Sequence, residues 1–188
     1  MADRKDMNQV RIQFLGSGDA FGSGGRFQTC LHLSGPGEPV LIDCGASSLI
    51  ALKRAGLEPS EIGCVGLTHL HGDHFGGLPF LILDGQFARR TRPLVVGGPP
   101  GVRERVEAAM EVFFPGSSKV DRRFAVEFVE LRERVPALVG PVSVTPFLVK
   151  ARQRRPRLRP ARRVWREGDH LLRRHRMDRE PGRGRTRG

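Results

Sequence analysis

Val10-Arg11-Ile12-Gln13-Phe14-Leu15 sets apolar side chains two apart, the period of a half-buried strand, and Gly16-Ser17-Gly18-Asp19 breaks it. Leu31-His32-Leu33 reads as a short strand in which His32 is structural rather than a ligand. Pro39-Val40-Leu41-Ile42-Asp43-Cys44-Gly45 is an apolar strand that ends in a carboxylate and a glycine, so Asp43 stands at a strand end. Ser47 or Ser48 caps a helix running through Ala55, with Leu49, Leu52 and Ala55 on one face and Gly56 as its stop. Ile62 to Thr68 is the next strand. Pro79 opens a helix that carries Phe80, Leu81, Leu83 and Phe87 toward the core. Pro93 to Val96 is a strand closed by Gly97-Gly98-Pro99-Pro100-Gly101, and Val102 through Phe114 has helical spacing that ends at Pro115-Gly116. Phe124 to Val129 and Val142 to Val149 are two further strands. Strands alternating with helices, with polar groups collected at strand ends, predict a layered α/β architecture.

From Ala151 the pattern stops. Ala151-Arg152-Gln153-Arg154-Arg155-Pro156-Arg157-Leu158-Arg159-Pro160 has neither period, and its arginines cannot be buried without partners. The charge follows the same boundary. The chain of 188 residues carries a net charge of +12, but residues 151–188 hold 15 Arg against 4 acids, which leaves residues 1–150 with 17 basic and 16 acidic residues. One near-neutral domain over 1–150 and an arginine-rich, disordered tail over 151–188 are therefore expected, RNA binding through the tail being an alternative function. The hydrophobic content of 38% is enough for one core. Three widely spaced cysteines, Cys30, Cys44 and Cys64, form no C-x-x-C pair and are expected to be small buried residues. No apolar run is long enough for a membrane span and Met1 to Asp6 lacks a signal-peptide core, so a cytoplasmic protein without membrane contact is expected.

The chemistry concentrates in Thr68-His69-Leu70-His71-Gly72-Asp73-His74-Phe75-Gly76-Gly77. Imidazole nitrogen and carboxylate oxygen are the usual ligands of zinc and its neighbours. On extended backbone, side chains two apart point the same way, so His69 and His71 can converge on one ion while Asp73 and His74 face a second position. The loop Gly22-Ser23-Gly24-Gly25 has neither a P-loop lysine nor a dinucleotide-binding fingerprint, and reads as close backbone approach near a site.

His69-x-His71-x-Asp73-His74 after a strand, with Leu41-Ile42-Asp43-Cys44-Gly45 before it, resembles the metallo-β-lactamase fold superfamily. Phe14-Leu15-Gly16-Ser17-Gly18-Asp19-Ala20-Phe21-Gly22 resembles in particular its ribonuclease Z-like branch. The resemblance covers residues 10–150 and implies an αββα sandwich of two roughly equivalent halves with a metal site at strand ends. It implies that His69 and His71 bind one zinc, that Asp73 and His74 bind a second, and that Asp43 orients ligands from behind. Mn2+ or Fe2+ are alternatives to zinc. The implied activity is a hydrolase using metal-activated water, with Asp73 also orienting the nucleophile. A phosphodiester, RNA included, is the implied substrate; lactone, thioester and β-lactam hydrolysis stay open, as does homodimerisation.

The family pattern also needs a later His, a bridging Asp and a final His, and none is recognisable in frame. Ala151 stands where the first should follow Val149-Lys150. Shifting the reading frame by one base lets the tail's codons spell HASGAPAYALRVE over Ala151 to Arg163 and SGDTEWTE over Leu172 to Arg179, strings of the kind that carry two of those ligands. The tail is thus read as out-of-frame translation after Lys150, which makes the product an incomplete sandwich and its inactivity the alternative to catalysis.

Overall fold

The computed structural model describes residues 9–149, and the expectations for the tail lie outside the described residues. β1 (Arg11–Gly16), β2 (Cys30–Ser34), β3 (Val40–Ile42), β4 (Cys64–Gly66), β5 (Leu94–Gly98) and β6 (Val126–Glu130) lie side by side in that order in one sheet. The first three are antiparallel neighbours and β3 to β6 are parallel. Parallel neighbours need crossovers. These are α1 (Ser48–Arg54) between β3 and β4, α2 (Gly72–Phe75) with α3 (Leu78–Phe87) between β4 and β5, and α4 (Val102–Phe113) between β5 and β6. A hairpin of β7 (Ala137–Val139) and β8 (Val142–Val144) forms a separate two-stranded sheet.

Registered neighbours across the sheet define its two faces. His32, Leu41, Val65, Val96 and Phe128 form one row, and the helices cover it: Leu52, Leu81, Ile82, Val106 and Met110 pack into the same core. The opposite row contains Val40, Cys64 and Val95, over which the hairpin sits with Val139 at its centre. A Cβ at Gly97 would collide with the Val139 side chain, so glycine there lets the hairpin reach the sheet. This is one helix layer, one six-stranded sheet and a two-stranded second sheet on its other face. No helix among the described residues is long and apolar enough to cross a membrane.

Several local expectations change. Ser47 precedes α1 but makes no side-chain cap; its hydroxyl instead accepts the Gln28 N–H at 2.8 Å. In α3 the buried positions are Leu78, Pro79, Leu81, Ile82 and Gly85, while Phe87 is 81% exposed. At 3.6 residues per turn, Phe87 falls about 180° around the helix from Leu78, so the register begun at Leu78 turns it outward. The last expected strand ends early: β8 stops at Val144, and Pro146, which has no N–H for a ladder, instead accepts the Arg134 N–H through its carbonyl. β1 alternates as expected, yet Ile12 and Phe14 remain 55% and 69% exposed, so its apolar face is not half-buried. The close approach expected of the Gly22–Gly25 loop occurs before it, at Gly16 and Gly18, where a Cβ would strike the Gln28 and Arg26 carbonyls. Gly24 and Gly25 have open space and serve through positive φ.

Arg90 closes the bottom of the helix layer. Its guanidinium is buried, donates to the Ile62 and Pro93 carbonyls at 2.6 Å each and lies 5.3 Å from the Phe124 ring centroid. Truncation would strand those carbonyls away from water. Arg90→Ala is therefore expected to lower unfolding free energy by about 3 kcal/mol, read from the urea midpoint, with Arg90→Lys recovering only part because a single ammonium cannot span the set.

Candidate metal centre

The site grows from the carboxyl ends of two adjacent parallel strands. After β3, Asp43 turns into the left-handed region at φ 59 and its N–H donates to the Gly66 carbonyl at 2.9 Å. Aspartate tolerates that conformation better than most residues because its short side chain can bond locally. The carboxylate is 2% exposed and accepts the Thr68 N–H at 2.8 Å and the Thr68 hydroxyl. Its Oδ2 also lies 2.7 Å from His74 Nδ1. A buried carboxylate between a strand end and an imidazole fixes the ring's orientation and leaves Nε2 facing outward.

The histidine segment is then clamped in place. The Cys44 N–H donates to the His74 carbonyl at 2.6 Å, and the Gly77 N–H to the Cys44 carbonyl at 2.8 Å. A Cβ at Gly45 would strike the Asp73 carbonyl, and one at Gly77 would strike the Gly45 carbonyl. Glycine at both positions lets the two loops touch through backbone. Gln28 adds a second tie: its carboxamide accepts the Ala46 N–H at 2.7 Å and donates to the Ala20 carbonyl at 3.1 Å. An open groove lined by Phe21, Arg26, Phe27, Ser47 and Ile50 shares Gln28 and Ala46 with this loop.

Within that frame the donors stand in pairs. His69 Nε2 is 3.2 Å from His71 Nδ1, and His74 Nε2 is 3.4 Å from Asp73 Oδ2. Two donors about 2.0–2.1 Å from one tetrahedral ion lie roughly 3.3–3.4 Å apart, so both separations match a shared ion. Thr68 Oγ1 lies 3.1 Å from His69 Nδ1, which frees that ring's Nε2. Burial first, then the neighbouring His74 and His71 rings, push His69 below its ordinary pKa, which keeps it neutral, the form that ligates. Donor type and pairwise spacing thus fit a zinc-like ion. Among the described residues, no three His, Cys, Asp or Glu side chains converge on one ion position. Full coordination takes donors beyond these pairs.

His69, His71, Asp73, His74 and Asp43 are brought together, and His32 is not: it is 4% exposed in β2 on the helix-covered face, and burial lowers its pKa. The cysteines are buried and free; burial raises the Cys64 thiol to about 11 and Cys44 further, so they stay protonated and do not compete as ligands. Thr68 and Gln28 hold the site together without being distinguished by spacing. The signal for Thr68 was its place directly before His69; Gln28 had none.

A family model described as "Anti-Pycsar protein Apyc1" matches residues 10–104. Ribonuclease Z of Methanothermobacter thermautotrophicus is 38% identical over 103 residues, which cover 55% of this chain and 34% of that protein. The chain spans only about a third to two-fifths of the curated relatives it matches. Human tRNase Z, short form, superposes with a TM-score of 0.56 at 32% identity over 65% of this chain and 46% of that one. Zn2+-bound PqqB from Methylobacterium extorquens, at TM-score 0.54 and 19% identity over 75% and 56% of the two chains, shares the fold.

Proposed function

Because the chain belongs to the family of the anti-Pycsar protein Apyc1, as a ribonuclease Z-like protein of the metallo-β-lactamase fold, we propose that its site is built for metal-dependent hydrolysis of a phosphodiester, with RNA as a candidate substrate. The observation that carries this reading is the pairing of His69 Nε2 with His71 Nδ1 at 3.2 Å beside the Asp73–His74 pair. On this reading His69 and His71 hold one divalent ion, zinc in the first instance, and Asp73 and His74 hold a second. Such ions, when bound, supply Lewis acidity toward a phosphoryl oxygen and toward water.

The chain's own residues supply position. Asp43 holds His74 by its Nδ1, so that Nε2 is the nitrogen offered to the ion. Thr68 does the same for His69. Asp73, half-buried with one oxygen toward His74, is placed to ligate and to accept a hydrogen bond from an attacking water. Aromatic Phe21 and Phe27 and the Arg26 guanidinium line the adjoining groove, where a phosphodiester's organic groups and charge would lie.

Cleavage of bis(p-nitrophenyl) phosphate by the full chain tests the reading. Hydrolysis stimulated by zinc or manganese, removed by chelator and lowered about 100-fold or more by His71→Ala, is the expected result. Hydrolysis indifferent to chelator contradicts it. Metal uptake without turnover would assign the chain to the alternative of a non-catalytic half-site, in keeping with no three donors converging among the described residues.

A further inference from the structure

The loop after β1 puts an aromatic ring into solvent and fixes the backbone that carries it. Phe21 is 93% exposed, yet its N–H and the Ser23 N–H both donate to Asp19 Oδ1, at 3.1 and 3.0 Å. The Ser23 hydroxyl donates to Asp19 Oδ2 at 2.7 Å, and the Gly22 N–H donates to the Asp19 carbonyl at 3.2 Å. Arg26 Nε donates to the Ser23 carbonyl at 3.3 Å, so the guanidinium hangs from the same turn. The base of the loop is closed where the Gly18 N–H donates to the Phe27 carbonyl at 2.7 Å. With Gly22, Gly24 and Gly25 all at positive φ, this segment has much backbone freedom to lose, and one carboxylate that accepts three bonds offsets that cost. Phe21 packs in neither core, so the clasp does not serve the interior. It fixes one wall of the groove that Ala46 and Ile50 also line. Ala46 is bonded to Gln28 and follows Gly45, the position at which a Cβ would strike the Asp73 carbonyl, so this wall stands beside the histidine segment.

Resting on the phosphodiester reading of the neighbouring site, we propose that Asp19 is a positioning residue for substrate: its carboxylate holds Phe21 as a wall against which a planar aromatic group of the phosphodiester packs. A phenylalanine in water gains nothing from its exposure, whereas a ring laid against it buries apolar area on both partners and adds a geometry-dependent attraction. Phe27, the groove's other ring, already has the Arg54 guanidinium 5.6 Å from its centroid, which leaves Phe21 as the ring open to a ligand. Arg26 adds a positive charge to the same wall, toward which the phosphate is drawn. With Asp19 in place the loop is ordered before substrate arrives. Without it, binding must supply that ordering, and the loss falls on affinity rather than on the chemical step. Asparagine keeps an Oδ1 able to accept both N–H groups, and its NH2 can donate to the Ser23 hydroxyl. Asp19→Asn should therefore hold the loop where Asp19→Ala releases it.

NMR titration of the full chain in the presence of zinc tests this without requiring turnover. Diphenyl phosphate is expected to shift the Phe21 ring and the Gly22 to Gly25 amide resonances. Dimethyl phosphate, with the same charge and no ring, is expected to leave them in place, a comparison that needs no variant to fold. Asp19→Ala and Phe21→Ala should each weaken diphenyl phosphate binding by about 10-fold, and Asp19→Asn by no more than about 2-fold. In hydrolysis of bis(p-nitrophenyl) phosphate, the two alanine variants should raise KM about 10-fold with kcat within about 3-fold of the unmodified chain. Selective binding of diphenyl phosphate that Asp19→Ala weakens, without turnover, would support the role of Asp19 and fail only the hydrolytic reading. Equal responses to the two phosphates, an Asp19→Ala affinity like that of the unmodified chain, an Asp19→Asn loss as large as that of Asp19→Ala, or a fall in kcat at constant KM would each overturn the proposal.

Discussion

Replacing His69 and His71 together by alanine is expected to remove zinc binding from the histidine segment, weakening it by about 10⁴-fold or more in competition with a chromophoric chelator. The magnitude follows from sharing roughly 10–16 kcal/mol of zinc-site free energy among four donors, about 3 kcal/mol each. Half of that set cannot be replaced by water at the same strength. His69 and His71 are half-buried and exposed respectively and hold no core contact, so the melting curve should change little. His32→Ala makes the opposite control. It empties a buried position under the helices and should lower stability while leaving zinc affinity intact.

Asp43→Asn is expected to weaken the second ion position by a smaller factor, without removing any proposed ligand. The carboxylate accepts from the Thr68 N–H and hydroxyl, and from His74 Nδ1 at 2.7 Å. Asparagine keeps the left-handed backbone and can still accept from Thr68, but its NH2 donates. Facing His74 it favours the tautomer with the proton on Nε2, the nitrogen that should ligate. Loss of a ligand's orienting partner costs about 10–100-fold in metal affinity, and the variant should fold, as circular dichroism would check. Asp43→Ala goes further. It leaves the Thr68 N–H and His74 Nδ1 unpaired and puts a Cβ without a polar side chain at φ 59, so a stability loss of about 2–4 kcal/mol is expected in urea unfolding.

The histidine spacing was legible because it is local: on extended backbone, His69 and His71 had to point to one side, and they do. Asp43 was legible as a strand-end carboxylate, since parallel strands gather such groups at one edge. Its left-handed conformation and its grip on His74 were not, because the partner is 31 residues away and only the pairing of β3 with β4 brings them together. The Ser47 reading failed for the same reason, as Gln28 claims the hydroxyl from across the sheet edge. In α3 the period was present but its phase was not, and a tertiary choice of Leu78 as the first buried position sent Phe87 to solvent. β7 went unseen because Ala137-Leu138-Val139 is too short to show a period; Gly140, at φ 59, is what lets it turn back into β8.

The central claim is that the His69–His71 pair holds a divalent ion through Nε2 of the first ring and Nδ1 of the second. Long-range ring-nitrogen NMR of the full chain, with zinc added to one equivalent, tests it most directly. The predicted result is a ligation shift at His69 Nε2 and His71 Nδ1 with His32 unchanged. Zinc taken up instead by His170 and His175, or no change at the His69 and His71 nitrogens, would contradict it.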